Sequence, residues 1–458
     1  MSRTKLHPAS FRDPSGFVFR FDGILHRQVN KSFQQDFDEF LSSGLYNNLI
    51  AKKILIPHQE IDQNLTGSDL QYKTLKPVEI PFISYPYEWS FDMLKEAALL
   101  TLQAAKEAMT CNMMLKDASS YNVQWHQGKM IFIDTLSFEK WNTNKPWIAY
   151  RQFCEHFLAP LALMHYLQSP LQNLQLAYPE GLPLPLSKKL LPLRSKFNLN
   201  TFLHLHLHAS FSKKQVKKSD QNISFSKAKQ ENLINSLENC IQSFSLNAHT
   251  GVWSGYYNEA KERPDYLTLK REIIEKWING LALQTAIDVG ANEGEFSFLL
   301  TEKNIQTLSA DFDHYSINQL YKKVKEKNIV NCTPLIMDFT NPSPSIGVNN
   351  EERLSFLERI NVDLVMALAV IHHLIIGKNI PFEKIAKCLS KMGKYLIIEF
   401  IPKEDEKVKL MINSGMQIFH EYDEDTFLQG FSTYFTVLKK ESIPGSDRSI
   451  FLMNRNEL

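Results

Sequence analysis

The chain has 458 residues, of which 43% are apolar and 22% are charged, so it is long enough for two globular domains with substantial cores. Its net charge of +1 gives no general argument for binding to nucleic acid or to an anionic membrane. Five scattered cysteines without a C-x-x-C pair argue against a disulfide framework or a thiolate zinc site and favour reduced thiols in the cytoplasm. The first 20 residues lack the apolar core of a signal peptide, and no apolar run reaches membrane-spanning length.

The first part of the chain predicts a mixture of strands and helices. Residues 17–29 predict a hairpin that turns at Asp22-Gly23, a dipeptide typical of tight turns. Residues 91–109 predict a helix, because alanine and leucine recur on one side at helical spacing. The other predicted elements are a helix over 31–49, strands over 53–56 and 78–85, a helix over 147–167, a proline-leucine loop over 182–191 and a half-exposed strand over 201–209.

Residues 115–139 carry polar side chains at a spacing that suggests a ligand-binding loop. Asp117 precedes Asn122 by five positions, and a short predicted hairpin that turns at Gln127-Gly128 leads to Asp134. Oxygen ligands at the two ends of such a hairpin could share one hard cation. The pattern resembles the catalytic loop and metal-binding aspartate of protein and aminoglycoside kinases. This resemblance implies ATP and magnesium, with the metal held by Asn122 and Asp134 and the acceptor hydroxyl oriented by Asp117.

The same segment also departs from the kinase pattern. No glycine-rich phosphate loop precedes it, and Leu115-Lys116 and Thr135-Leu136 stand where kinases carry His-Arg and Phe-Gly. The three polar residues equally suit turn and capping positions of a plain hairpin. We therefore predict a kinase-like shape and leave its activity open.

A change in composition divides the chain. Residues 211–229 are rich in serine and lysine and predict a linker or exposed loop. We predict an N-terminal α+β domain over 1–210, which binds the acceptor or acts as a scaffold, and a second domain over 230–458. Early in the second domain, Trp253, Tyr256 and Tyr257 could cover a ligand cleft or pack the following helix onto the sheet.

Residues 285–300 predict a buried strand, a tight glycine turn and the first turns of a helix. Gly290 and Gly294 allow a sharp bend, and Asn292 tolerates left-handed backbone angles. Such a turn presents backbone N–H groups to a ligand at the helix start. Because Asp288 and Glu293 place carboxylates in or beside the turn, a dinucleotide pyrophosphate would be repelled and a cationic ligand fits better.

Strands alternate with helices after this turn, which requires a parallel sheet with right-handed crossovers. Ligands bind at the carboxyl ends of such strands. Asp311 ends the second strand, 21 positions after Gly290, where a carboxylate can accept both hydroxyls of a ribose. The predicted strands cover 285–289, 306–311, 333–337, 362–370 and 395–400, with a closing antiparallel pair over 435–439 and 449–454; the predicted helices cover 230–244, 264–279, 316–327 and 351–360.

The stretch over 253–455 resembles the class I S-adenosylmethionine-dependent methyltransferases, whose motif is an acidic residue followed by G-x-G-x-G. Asn292 stands at the middle glycine. The resemblance implies a Rossmann-like, mostly parallel sheet and S-adenosylmethionine as cofactor. With the segments YPYEW, KDASSYN and FIDTLSF, the whole chain resembles bacterial two-domain nodulation-type methyltransferases. The implied cofactor-binding residues are Asp288, Gly290, Ala291, Asn292, Gly294, Asp311, Phe312, Asp338, Phe339 and Ala369.

Candidate catalytic residues follow the fourth and fifth strands of the second domain. His372 and His373 come directly after the fourth strand, and an imidazole near neutral pKa can remove a proton from an oxygen or nitrogen acceptor. His373 is the first choice, and Glu399 is a further candidate for orienting the acceptor or the base.

Three functions remain open at this point. The chain is a methyltransferase for a small-molecule, glycan or lipid acceptor, a bifunctional protein with an ATP- and magnesium-binding first domain, or a binding module without activity. A nucleic-acid acceptor is disfavoured, because no aromatic-basic surface stands out.

Overall fold

The computed structural model describes residues 3–142, 145–208, 226–247, 264–413 and 421–457. The chain forms two compact units: unit 1 comprises Met1–Asn247 and Ser345–Leu354, and unit 2 comprises Ala248–Pro344 and Ser355–Leu458. Most of the predicted linker over 211–229 lies outside the described residues, as do Trp253, Tyr256 and Tyr257.

Unit 1 begins with a five-stranded antiparallel sheet in the order β1-β2-β3-β5-β4. The predicted hairpin is confirmed, since Phe21 pairs with Ile24 across the Asp22-Gly23 turn. The strand predicted over 78–85 is wrong: the chain pairs only as far as Pro77, and the buried Leu75 anchors the observed strand. The elements are β1 (Thr4–Leu6), β2 (Gly16–Phe21), β3 (Ile24–Asn30), α1 (Gln34–Ser42), α2 (Leu45–Ala51), β4 (His58–Ile61) and β5 (Gln71–Pro77).

The predicted helix over 31–49 is split in two, because Gly44 adopts a left-handed conformation with φ +79° between α1 and α2. The strand predicted over 53–56 is absent, and in its place Leu55 makes an isolated β-bridge to Phe132. The helix predicted over 91–109 is present.

The rest of unit 1 is largely helical, with two short hairpin-like pairs. β6 pairs with β9, and β7 pairs with β8 around the predicted Gln127-Gly128 turn. The elements are α3 (Phe91–Thr110), β6 (Met113–Leu115), β7 (Val123–His126), β8 (Lys129–Phe132), β9 (Phe138–Lys140), α4 (Tyr150–Phe153), a π-helical turn (Cys154–Leu158), α5 (Ala159–Leu167), α6 (Leu174–Ala177), α7 (Leu184–Leu190), α8 (Leu199–Thr201), a second π-helical turn (Phe202–Leu207) and α9 (Lys227–Gln242).

Two sequence-based expectations in this region are wrong. The proline-leucine stretch over 182–191 contains α7, whose proline lies in the first helical turn, where it is tolerated. The predicted strand over 201–209 is helical instead, and its residue 209 lies outside the described residues. His204 and His206 are buried there: Tyr150 and Ser236 contact His204, and Ser195 contacts His206.

Helix α9 belongs to unit 1, although the sequence analysis placed residues 230–247 in the second domain. It packs against α3, where Lys106 forms an ion pair with Glu238. Lys95 also donates hydrogen bonds to the carbonyl oxygens of Gln242 (3.0 Å) and Phe244 (2.7 Å). These long-range contacts group the helix with the first unit.

Unit 2 contains a seven-stranded sheet in the order β12-β11-β10-β13-β14-β16-β15. Strands β10 to β14 are parallel, whereas β16 runs antiparallel to both β14 and β15. The predicted Rossmann-like class I methyltransferase sheet with an antiparallel terminal hairpin is therefore confirmed. The strands are β10 (Thr285–Val289), β11 (Gln306–Asp311), β12 (Cys332–Ile336), β13 (Val362–Ala367), β14 (Gly393–Phe400), β15 (Phe435–Ser442) and β16 (Ser449–Arg455).

Helices cover both faces of this sheet, as a parallel sheet requires. One core contains the fully buried Trp277 and Leu299, packed against Met366 and Ile397 of the central strands. The helix predicted over 351–360 is largely wrong: only one turn forms, which Ser355 and Glu358 begin with a capping box. The helices are α10 (Pro264–Ile278), α11 (Glu295–Glu302), α12 (His314–Glu326), α13 (Phe356–Arg359), α14 (Ile371–Lys378), α15 (Phe382–Ser390), α16 (Glu406–Asn413) and α17 (Glu424–Ser432).

Across the ranges described above, no helix combines the length and the apolar character needed to cross a membrane.

Candidate functional site

The parallel strands of unit 2 bring most of the predicted site residues to one edge of the sheet. These strands run in the same direction, so their carboxyl ends meet at a single edge, where α/β proteins bind ligands. The strands end at Val289, Asp311, Ile336, Ala367 and Phe400. The predicted residues at or directly after these ends are Asp288, Gly290, Asp311, Phe312, Asp338, Phe339, Ala369, His372, His373 and Glu399.

The glycine turn after β10 depends on both of its glycines. Gly290 has φ +75°, and a Cβ atom there would lie 2.4 Å from Cγ2 of Val370. Gly294 has φ +88°, and its Cβ would lie 2.4 Å from Cδ1 of Leu320. Asn292 also adopts a left-handed conformation, with φ +49°. A larger side chain at either glycine would therefore be both strained and crowded by neighbouring side chains.

Asp311 is the best-defined polar group at this edge. It is 8% exposed, and its two carboxylate oxygens accept hydrogen bonds from the backbone N–H groups of Asn292 (2.9 Å) and Asp313 (2.9 Å). Burial raises the pKa of Asp311 to about 6, although the backbone hydrogen bonds oppose the shift. The hydrogen bond from the N–H of Asn292 therefore holds the Asp311 carboxylate next to the glycine turn.

Asp288 lies just before the glycine turn and is almost fully buried, with 2% of its surface exposed. Its carboxylate accepts a hydrogen bond from the hydroxyl of Ser297 (2.7 Å). Burial raises the pKa of Asp288 to about 7, and the nearby charge of Asp311 adds to this shift. The sequence analysis did not identify Ser297 as a partner of Asp288. Ser297 lies nine residues after Asp288, in the first turns of the helix that follows the glycines, and this position could have indicated the contact.

The remaining predicted cofactor residues provide apolar surface and one exposed carboxylate. Phe312 is 59% exposed at the end of β11. Asp338 is exposed, and its Oδ1 accepts hydrogen bonds from the N–H (2.8 Å) and hydroxyl (2.7 Å) of Thr340. Phe339 lines a narrow apolar crevice between the strand ends. Ala369, close to this crevice, has φ +54°, a left-handed conformation that is unfavourable for alanine.

The two candidate histidines lie in the first turn of α14. His372 is buried and 1% exposed, whereas His373 is half-buried. Their rings are in contact, with centroids 3.9 Å apart. His373 is therefore the more solvent-accessible of the two.

Glu399 lies in a buried network of charged side chains, one residue before the carboxyl end of β14. Its side chain is fully buried, and it accepts hydrogen bonds from Lys270 (2.6 Å) and from the hydroxyl of Tyr266 (2.5 Å). Arg448 lies 3.8 Å away and pairs with Asp405 at 2.8 Å. Burial alone would raise the pKa of Glu399, but the charges of Lys270 and Arg448 outweigh it and hold the pKa below its usual value.

These partners of Glu399 were missed in the sequence analysis. Tyr266 and Lys270 are spaced four residues apart on α10, so they share one face of that helix, and this spacing was the signal. Arg448 stands in the turn between β15 and β16, where the sequence gives no indication of its partner.

Unit 1 also brings the kinase-like residues together. Asp117 accepts hydrogen bonds from the backbone of Ser119 (3.0 Å) and from the side chain of Gln152 (2.8 Å). Burial raises the pKa of Asp117, and the charge of Asp134 adds to this shift. Asn122 donates from its side chain to the hydroxyl of Ser137 (3.4 Å). The order of sheet, helix, loop and hairpin is the one that the resemblance to kinases implies.

No protein-family model matches the chain. The PH0226 protein of Pyrococcus horikoshii OT3 is 14% identical, with a TM-score of 0.32 over 43% of this chain and 92% of that one. Magnesium protoporphyrin IX methyltransferase (ChlM) of Synechocystis PCC 6803, crystallised with bound SAH, is 15% identical, with a TM-score of 0.30 over 42% and 86%. The bifunctional kinase-methyltransferase WbdD is 16% identical, with a TM-score of 0.30 over 46% and 43%.

One sequence relationship covers both units. The chain is 30% identical to the nodulation protein NoeA of Rhizobium meliloti (strain 1021) over 459 residues. The alignment spans 98% of this chain and 96% of the relative. With this identity over nearly the whole length, the chain belongs to the family of the nodulation protein NoeA.

Proposed function

We propose that unit 2 is a class I methyltransferase that uses S-adenosylmethionine as methyl donor. The observation that carries this proposal is the Asp311 carboxylate, which the N–H groups of Asn292 and Asp313 hold at the end of β11 beside the glycine turn. A carboxylate has about four acceptor positions, so Asp311 keeps acceptor capacity for the hydroxyls of a ribose. The strand order and the antiparallel hairpin support the same proposal.

The other residues at this edge fit the chemistry of that cofactor. Asp338 offers a carboxylate to an adenine amino group, and Phe339 offers a flat apolar face beside it. The turn around Gly290 lets a ligand approach the backbone. Asp288 and Asp311 make the neighbourhood of the turn acidic, which suits a sulfonium and an α-amino group better than a pyrophosphate.

When bound, S-adenosylmethionine supplies a methyl group that its sulfonium already activates. The task of the protein is then mainly to align donor and acceptor, and such positioning supplies several kcal/mol. We assign His373 the role of base for an oxygen or nitrogen acceptor, with His372 packed behind it. Glu399 has no solvent exposure and two charged partners, which favours a structural role over contact with the acceptor.

We propose a small-molecule, glycan or lipid acceptor and assign unit 1 to acceptor binding or scaffolding. The small net charge of +1 gives no support for a nucleic acid as the acceptor.

Titration calorimetry of the full chain with S-adenosylmethionine tests the proposal. The wild type is expected to bind one equivalent, and Asp311→Ala is expected to lose this binding. Asp425→Ala is the matched control, because Asp425 is an exposed aspartate on α17 and belongs neither to the glycine turn nor to β11, and it should bind as the wild type does. Absence of binding to the wild type, or equal binding to Asp311→Ala, would refute the proposal.

A further inference from the structure

In unit 1, the aspartate that would hold a kinase metal ion already has three partners. Asp134 forms an ion pair with Arg27 through Oδ1, and the same oxygen accepts a hydrogen bond from the backbone N–H of Leu136 (3.2 Å). Its other oxygen accepts a hydrogen bond from the hydroxyl of Ser137. Three of the about four acceptor positions of this carboxylate are therefore occupied, one of them by a positively charged group.

The second predicted metal ligand, Asn122, makes its side-chain contacts through the amide nitrogen. Asn122 donates from its amide nitrogen to Ser137 (3.4 Å), and its side chain also bonds to Asp117. A carboxylate can only accept, so the Asn122 amide presents its NH₂ group to Asp117. A metal ion would bind the amide oxygen, whereas these two contacts are made by the nitrogen. With Gln152 donating to Asp117, a continuous hydrogen-bonded chain links Arg27 to Gln152.

Arg27 is fixed in place by the sheet. It lies on β3, where its backbone is in register with Val18 of β2 and Leu75 of β5. The ion pair is largely buried, with 14% of the Arg27 side chain and 13% of the Asp134 side chain exposed. A guanidinium stays protonated in proteins, so Arg27 cannot yield to a metal ion by losing its charge. A divalent cation at Asp134 would have to face this positive charge at short range.

We propose that Arg27 takes the place of the metal ion in unit 1. The unit thereby holds its two aspartates together without a divalent cation and does not perform magnesium-dependent phosphoryl transfer. This places unit 1 among binding or scaffolding domains. The inference concerns unit 1 alone and does not depend on the methyltransferase proposal for unit 2.

Binding of Mn²⁺ to the full chain, followed by the electron paramagnetic resonance signal of the free ion, tests the inference with and without ATP. The wild type is expected to bind no more Mn²⁺ than Asp134→Asn, which corrects for weak binding elsewhere. Arg27→Gln is expected to bind one further equivalent, because it removes the charge and keeps a polar side chain. The double variant Arg27→Gln/Asp134→Asn should lose that equivalent, and Arg27→Lys should behave as the wild type does.

Two results would overturn the inference. One is a wild type that binds an equivalent of Mn²⁺ which Asp134→Asn lacks. The other is a folded Arg27→Gln variant, by circular dichroism, that gains no Mn²⁺. A measurement on the wild type alone covers the case in which the variants do not fold: its thermal midpoint should be the same in magnesium plus ATP as in EDTA, and a rise with magnesium plus ATP would overturn the inference.

Discussion

The ion pair between Lys270 and Glu399 offers a quantitative test of whether Glu399 is structural or available to an acceptor. The two side chains are 4% and 0% exposed and lie 2.6 Å apart. The substitution Lys270→Met keeps the length of the side chain and removes its charge. Among the residues that the structure describes, the buried Glu399 then keeps as partners the hydroxyl of Tyr266 and the more distant Arg448 at 3.8 Å.

Removal of one partner from a buried ion pair costs about 3–5 kcal/mol, because the other charge is left without full compensation. Arg448 still compensates Glu399 in part, so we expect the lower end, about 3 kcal/mol. For a unit of roughly 150–250 residues, each kcal/mol shifts the Tm by about 2–4 °C, which gives a fall of about 6–12 °C. The double variant Lys270→Met/Glu399→Leu should regain part of this loss, since no buried carboxylate remains.

Differential scanning calorimetry of the full chain measures this shift, and hydrogen exchange in peptides from residues 264–278 identifies the unit that unfolds. Lys276→Met is the matched control: Lys276 lies on the same helix and pairs with Glu441 at 3.0 Å, but 68% of its side chain is exposed. Exposed pairs contribute about 0–1 kcal/mol, so the control should change little. If Lys270→Met lowered the Tm no more than Lys276→Met, the structural assignment of Glu399 would be refuted.

Three further predictions concern pH and the glycine turn. The affinity for S-adenosylmethionine should fall as the pH is lowered from about 8 to about 5, because burial raises the pKa of Asp311 to about 6 and protonation removes the negative charge of its carboxylate. Calorimetric titration at both pH values measures this difference, and equal affinities would contradict the prediction. The buried His156 and His204 have pKa values lowered by burial to about 4, so the unfolded chain binds protons first as the pH falls. Unit 1 should then lose roughly 3 kcal/mol for each histidine between about pH 6.5 and pH 4, seen as a lower urea midpoint, whereas a constant midpoint would contradict their burial in neutral form. Gly290→Ala should lower the thermal stability of unit 2 more than Gly445→Ala does. Both glycines have φ +75°, but a Cβ at Gly290 would lie 2.4 Å from Val370, whereas a Cβ at Gly445 would have no neighbour within 4 Å. Equal losses of stability in the two variants would contradict the crowding at Gly290.

The sheet of unit 2 could be predicted from the sequence because its strands are buried on both faces. Such strands appear as short apolar runs, and the prediction over 306–311 agrees with the observed strand Gln306–Asp311. The glycine turn fixed the position of β10 in the same way. The strand ends then located Asp311, Asp338 and the histidines, since a parallel sheet leaves little freedom in where its carboxyl edge lies.

Unit 1 was harder to predict because the periodicity of its polar residues is misleading. Histidine and leucine alternate over residues 201–209, which is typical of a half-exposed strand. In the structure, a π-helical turn buries His204 and His206 and gives each a hydroxyl partner, Ser236 and Ser195. The hydrogen bonds of the two histidines to serines distant in sequence therefore outweigh the alternating pattern. The residues of 201–209 alone do not indicate these partners.

The arrangement around the candidate sites was also beyond the sequence. Lys270 and Glu399 are 129 residues apart, and Arg27 and Asp134 are joined only through the fold of unit 1. Patterns of spacing identify residues on one element, but they do not pair charges across elements. The roles of Glu399 and Asp134 consequently depend on partners that only the structure brings into contact.

The proposed function requires the acidic glycine turn of unit 2 to bind S-adenosylmethionine rather than a dinucleotide. Equilibrium dialysis of the wild-type chain with methyl-labelled S-adenosylmethionine, in competition with unlabelled S-adenosylhomocysteine and with NAD, distinguishes the two ligands. We expect one bound equivalent of the methyl donor, displaced by S-adenosylhomocysteine and unaffected by NAD. Retention of NAD at this site, or no retention of the methyl donor, would contradict the assignment of unit 2 as a methyltransferase.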